Sequence, residues 1–192
     1  MGETTQRPGG RSARVRQQVL EATAQLLVER GLDAATIPAI AERSGVHHTS
    51  IYRRWHDRAA LIKDAVLDTV DASVPIVDTG EIRDDLIEML DGVHALLTSP
   101  FGAVLLDLVR SRDESLAELR HTYWNARLDH CAAVIERAIA RGELPPGSDH
   151  RLIFELLVGP LHGRVLLGGG GEVVIDVIVD AVLFGVTRTK GA

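Results

Sequence analysis

The stretch from Thr36 to Trp55 constrains the fold more than any other part of the chain. "TIPAIAERSGVHHTSIYRRW" holds two short segments of helical spacing, separated by Ser44-Gly45-Val46. Thr36 can cap the first segment, and Pro38 falls in its first turn, where a missing N–H costs little. The second segment is expected over 47–55, with Ile51 and Trp55 on one face. Val46, in the turn, can pack beside them on Ile37, Ile40 and Ala41. A short helix, a glycine turn and a second short helix form the helix-turn-helix arrangement.

Burying Ile51 and Trp55 turns His48, Thr49, Ser50, Tyr52, Arg53 and Arg54 mainly outward. This face is rich in hydrogen-bond donors and contains no carboxylate. It suits the major groove, where Arg reads guanine and hydroxyls bind phosphate. A solvated helical hairpin is the plain alternative. A metal site is a third reading, prompted by the adjacent His47 and His48. Neighbours on a helix are about 100° apart, so the two rings cannot readily chelate one ion. His56 lies in a turn beyond, and neither a cysteine nor a nearby carboxylate completes a four-ligand set. The histidines read DNA or merely face it; no metal and no cofactor is implied.

Charge is divided unevenly. Residues 1–63 carry 10 Lys and Arg against 6 Asp and Glu, whereas 64–192 carry 11 against 21. A basic first third on an acidic body points to a polyanion as the partner of that third. The single cysteine, Cys131, excludes an intrachain disulfide and suits a reducing cytoplasm. The apolar region 154–186 is interrupted by charges and has no uncharged run of the roughly 18 residues that a membrane span needs.

The remaining strong signals are also helical, so the expected class is all-α. "SARVRQQVLEATAQLLVERG" places Val15, Val19, Ala22 and Leu26 on one face, with Ser12 as a possible cap and Gly31 as its end. Residues 1–10 read as a disordered tail, 11–63 as a three-helix DNA-binding unit and 64–192 as a second, helical unit. A helix beginning at Asp57 connects the two. "VPIVDTG" at 74–80 is the expected joint, followed by helices near 81–98, 100–111, 113–141, 149–167 and 172–188. Strand is the minor reading for "EVVIDVIVDAV", because Glu172, Asp176 and Asp180 recur at helical steps of four. "GGGG" at 168–171 follows no strand and lacks a phosphate-loop lysine, so it reads as a connection.

"TIPAIAERSGVHHTSIYRRWHDRAALI" resembles the TetR (tetracycline repressor) family of transcriptional regulators. Ile40-Ala41, Gly45-Val46, Ile51-Tyr52, Trp55 and Ala60-Leu61 are its anchors in register. "AIARGELPPGSD" with "LLVGPLHGRVLLGG" is similar to one common C-terminal subgroup. The resemblance implies that Tyr52, Arg54 and Arg58 contact the DNA backbone. It also implies that His48, Thr49 and Ser50 touch bases and backbone, and that Thr36 lies near a phosphate. Trp55 replaces the usual Phe, and Pro38 stands where some members place a base-reading side chain.

The long helix 113–141 carries two apolar stripes, Leu116-Leu119-Tyr123-Ala126 and Trp124-Leu128-Cys131-Ile135, as a helix between layers of a ligand-binding bundle would. Met89, His94, Phe101, Leu105, Tyr123, Trp124, Cys131 and Phe154 are the candidate ligand contacts, each with ordinary core as its alternative. Leu157, Gly159, Leu161, Val165, Val177, Ile178, Ala181, Val182 and Gly185 are the expected homodimer face within 149–188; burial inside one chain is the alternative. The whole reads as a cytoplasmic, dimeric repressor released from a pseudo-palindromic operator by a small apolar effector. A helical-bundle enzyme or metal-binding protein is the competing class. A Glu-x-x-His spacing occurs only at Glu118 and His121, whereas a bundle di-metal site needs it on two helices.

Overall fold

Helices dominate the chain because apolar residues recur at three- and four-residue steps along most of it. The computed structural model describes residues 9–112, 114–168 and 174–188. These form α1 (Gly9–Ala34), α2 (Ile37–Ser44), α3 (His48–Arg54), α4 (Arg58–Ser73), α5 (Ile82–Thr98), α6 (Pro100–Arg110), α7 (Ala117–Ala140), α8 (His150–Leu167) and α9 (Ile175–Arg188). A single 3-10 turn, Glu114–Leu116, leads into α7. No strand occurs among the described residues, and "DVIVDAV" lies inside α9.

Side-chain caps fix most helix starts. Thr36, Asp57, Ser99 and Asp149 each accept a backbone N–H from the first turn that follows them. The start of α1 differs from expectation. It begins at Gly9, so Ser12 lies inside the helix and residues 9 and 10 of the expected tail are helical. Gly31, at φ 77°, breaks the regular part of α1 where its sequence places the end.

Val19, Leu20, Ala22, Leu26 and Leu27 of α1 are buried, while Val15 is exposed. α1 packs against α2, α4 and α6, and α4 packs in turn on α5 and α7. A boundary at 63/64 therefore cuts through α4, which is one continuous helix shared by both units. Arg16 pairs with Asp64 at 3.5 Å and Asp68 at 3.2 Å, tying α1 along α4. Lys63 meets Glu118 at 3.1 Å on the other side. That ion pair occupies the glutamate of the Glu-x-x-His spacing, and His121 is engaged with Asn125 at 3.1 Å.

α5 and α6 meet at an 85° bend. Gly102 allows it: a Cβ there would lie 2.2 Å from the Leu97 carbonyl oxygen. The bend returns α6 to α1, which gives the second unit two points of contact with the first, α4 and α6.

The joint 74–81 is held by a polar cluster. Buried Asp85 accepts from the Thr79 N–H at 2.6 Å, the Thr79 hydroxyl at 2.8 Å and Arg141 at 3.2 Å. Glu143 accepts from the Ile82 N–H at 2.6 Å, and Arg137 donates to the Val77 carbonyl at 2.6 Å. Burial pushes the Asp85 carboxyl up, but the Thr79 and Arg141 hydrogen bonds outweigh it and hold Asp85 below its ordinary range. A depressed carboxylate stabilises the fold above its unfolded pKa, and that contribution is lost as pH falls through the folded value. Asp85→Asn is therefore expected to be less stable than wild type at pH 7 and to show a shallower stability loss below about pH 4. Urea unfolding at a series of pH values checks this.

Candidate nucleic-acid interface and effector cavity

α3 is short, and three contacts fix its orientation. Gly45 takes the left-handed conformation at φ 65° and closes α2. Gln18 of α1 donates to the Ser44 carbonyl at 2.6 Å. Ile51 and Trp55 are buried, and the Trp55 indole N–H donates to Asp64 at 3.0 Å. The bulk that distinguishes this position from phenylalanine thus also supplies a hydrogen bond to α4.

With that face buried, His47, His48, Thr49, Tyr52, Arg53 and Arg54 are exposed and Ser50 is half-buried. His47 caps α3 and is not part of it: its Nδ1 lies 2.7 Å from the Thr49 hydroxyl and accepts the Thr49 N–H at 3.4 Å. An accepting Nδ1 leaves the ring proton on Nε2, the atom pointing away from the cap. The His47 and His48 rings lie 4.2 Å apart. Among the described residues, no group of three His, Cys, Asp or Glu is arranged to hold a metal ion.

Two of the expected backbone-contacting arginines have structural partners. Arg54 donates to the Ser12 carbonyl and the Ser12 hydroxyl, both at 3.0 Å, and its guanidinium sits 5.8 Å from the Trp55 ring centroid. Arg58 is half-buried and donates to the carbonyls of Ala35, at 2.9 Å, and Leu32. These carbonyls follow the Gly31 break, so Arg58 closes the end of α1 as well as opening α4. Arg58→Ala is expected to cost about 1.5–3 kcal/mol in urea unfolding, the range for hydrogen bonds to a charged group. The hydroxyl of Thr36, also exposed, accepts the Ala39 N–H at 3.4 Å.

The candidate ligand contacts separate into two groups. Tyr123, Trp124 and Phe154 line one cavity with Val70, Val74, Val93, Leu96, Leu97, Arg127, Val158 and His162. Trp124 and Phe154 meet edge to face at 5.4 Å. The cavity is about 20 Å³, room for one water-sized molecule. Met89, Phe101, Leu105 and Cys131 do not line it and are buried core; His94 is half-buried and also lies outside it. Burial pushes the Cys131 thiol up to about 12, so it is an inert core group.

Arg127 and His162 line this cavity without having been singled out in the sequence. His130 lies outside the cavity, and both it and Arg127 are buried on one face of α7. Arg127 follows Tyr123 by four residues and Trp124 by three, and that spacing was the available signal.

The expected dimer face also divides. Leu157 and Leu161 are fully buried within the chain, whereas Gly159, Val177, Ala181 and Gly185 are exposed. Leu152, Leu156, Leu166 and Val174 extend the exposed apolar surface along α8 and α9. Residues 172 and 173, the expected start of the last helix, and 169–171 of the glycine run lie outside the described residues. No single helix among the described residues is long and apolar enough to cross a membrane.

A helix-turn-helix unit joined by a shared helix to an α-helical bundle defines a DNA-binding protein with a separate helical domain. The family model for bacterial regulatory proteins of the tetR family matches residues 19–65, and that for the tetracyclin repressor-like C-terminal domain matches 76–182. The chain is 35% identical over 159 residues to the HTH-type transcriptional regulator AqdR of Rhodococcus erythropolis, covering 82% of this chain and 77% of that protein. It is 32% identical over 176 residues to the DNA-binding transcriptional repressor TetR of Mycobacteroides abscessus, covering 88% and 92%. A solved TetR family transcription regulator superposes with a TM-score of 0.76 at 28% identity, over 90% of this chain and 98% of that one. The chain belongs to the TetR family of transcriptional regulators. Its relatives are regulators, not enzymes.

Proposed function

We propose that this chain is a homodimeric repressor that binds a pseudo-palindromic operator in the cytoplasm and is released by a small, largely apolar effector. One observation carries the DNA reading: His47 at the cap and the outward residues of α3, His48, Thr49, Ser50, Tyr52, Arg53 and Arg54, present donors with no carboxylate among them. Thr49 and Ser50 read bases; Tyr52 and Arg53 hold the backbone. Arg54 and Arg58 keep α3 and α4 in place against α1 and offer phosphate only the donors left over. The exposed apolar strip on α8 and α9 supports the dimer. Gly159, Gly163 and Gly185 open onto free space, which lets a second copy come close.

The effector enters between α4, α5, α7 and α8, where Tyr123, Trp124 and Phe154 surround the small cavity. A ligand larger than water must part these helices, so it binds an opened form better than the closed one. That difference is what a shift of the DNA-binding equilibrium requires. α4 carries the shift, since it lines the cavity through Val70 and contributes Arg58 and Asp64 to the DNA-binding unit.

Retention on non-sequence-specific duplex DNA tests the reading. It should fall steeply with salt, because each phosphate contact released adds about 0.9 to the log–log slope. Salt-insensitive retention, or none at low salt, would remove the basis for the proposal.

A further inference from the structure

The buried face of α7 contains a cation whose hydrogen-bonding capacity is mostly unused. Arg127 is 7% exposed and His130, one turn on, is 9% exposed. Arg127 donates one Nη2 hydrogen bond to Asp71 of α4. Its Nε and Nη1, and the Nε2 of His130, are buried without a hydrogen-bond partner. Buried polar groups are nearly always satisfied, and an unsatisfied donor on a charged group is costly.

The charge is also incompletely matched. The Asp71 side chain is 65% exposed, so water screens much of its charge, while the guanidinium opposite is buried. Arg127 stands in the wall between two spaces. On one side is the aromatic cavity of Tyr123, Trp124 and Phe154. On the other, Arg127 and His130 face an open cleft of about 430 Å³ with Asp71, Pro75 and Ile76.

We propose that the effector carries one oxyanion on an apolar body, with the oxygen held by Arg127 and His130 and the body placed against Tyr123, Trp124 and Phe154. This rests on the effector reading above and names the chemistry of that site. A neutral acceptor would satisfy the donors but leave the buried charge under-compensated; an oxyanion does both. A second negative charge is disfavoured, because Asp71 and Asp129 border the same cleft. The oxyanion competes with Asp71 for Arg127 and so loosens a tie between α7 and α4, the helix shared with the DNA-binding unit.

Calorimetric titration of the full-length protein with 2-naphthoate and its neutral analogue 2-naphthamide tests this. Wild type should bind the acid at least about tenfold more tightly than the amide, equivalent to about 1.4 kcal/mol. Arg127→Met should bring the two probes to equal affinity. Asp71→Asn removes the competing carboxylate and keeps Arg127, so it should widen the acid preference by roughly threefold, which also covers a failure of Arg127→Met to fold. Equal affinities in wild type, an acid preference that survives Arg127→Met or narrows in Asp71→Asn, or no binding of either probe would overturn the proposal. In the last case ordered water alone satisfies these donors. Salt-dependent DNA retention, measured on the same samples, separates the two levels: its persistence leaves the regulator reading standing, and its absence removes that reading as well.

Discussion

Trp55→Ala should lower stability by about 3–5 kcal/mol, the usual cost of deleting a buried tryptophan, and abolish DNA retention. The indole is 4% exposed and belongs to the same core as Ile37, Ile40, Ile51 and Leu61. Its N–H donates to Asp64, which also pairs with Arg16 of α1. Truncation therefore opens a cavity and removes a donor from a part-buried carboxylate at once. It also takes away the ring beneath Arg54, whose two bonds to Ser12 fix the C-terminal end of α3. Trp55→Phe keeps most of the packing and loses the hydrogen bond, so it should fall between the two. Urea unfolding followed by circular dichroism reads the loss, and an unchanged midpoint for Trp55→Ala would contradict this account of how α3 is held.

The second large effect is expected at the α8–α9 surface. Leu156→Glu combined with Val177→Glu should give a folded monomer with operator affinity reduced at least about 100-fold, or about 2.7 kcal/mol. Leu156 is 49% exposed and Val177 59%, so neither substitution removes core from a single chain. In a dimer the same positions would bury charge against charge on both copies. One short recognition helix covers too few base pairs for useful specificity, so losing the second copy costs most of the sequence preference. Sedimentation of the double variant beside a DNA titration checks both halves. A variant that remains dimeric would place the dimer face elsewhere.

What the sequence revealed depended on whether the signal was local. Thr36 caps the helix expected of it, Asp57 and Ser99 cap helices that begin where helices were expected, and Gly31 and Gly45 adopt positive φ where breaks were expected. Each is decided within four residues, by backbone groups a side chain can reach on its own helix. Ile51 and Trp55 were legible because two points one turn apart define a face.

Tertiary partners were not legible. Arg54 and Arg58 matched positions expected to contact the DNA backbone, yet the carbonyls they serve belong to residues 42, 23 and 26 positions earlier. Arg127 and His130 were not singled out in the sequence, and α4 covers that side of α7. Periodicity divided α7 into apolar stripes without saying which stripe meets a cavity. Cys131 and Leu128 therefore entered the core, while Tyr123 and Trp124 reached the space beside Phe154. The α8–α9 surface mixed both cases, with Leu157 and Leu161 turned into their own chain and Leu156 and Val177 turned out.

Selection of bound sequences from a random duplex pool tests the central claim, that paired α3 helices read a two-fold symmetric site. An enriched inverted repeat is expected. Substitutions at Thr49 or Ser50 should change the preferred bases at equivalent positions in both halves, whereas Tyr52→Phe should weaken all sequences by similar factors. No enrichment, an asymmetric motif, or Thr49 and Ser50 variants with the wild-type preference would contradict it.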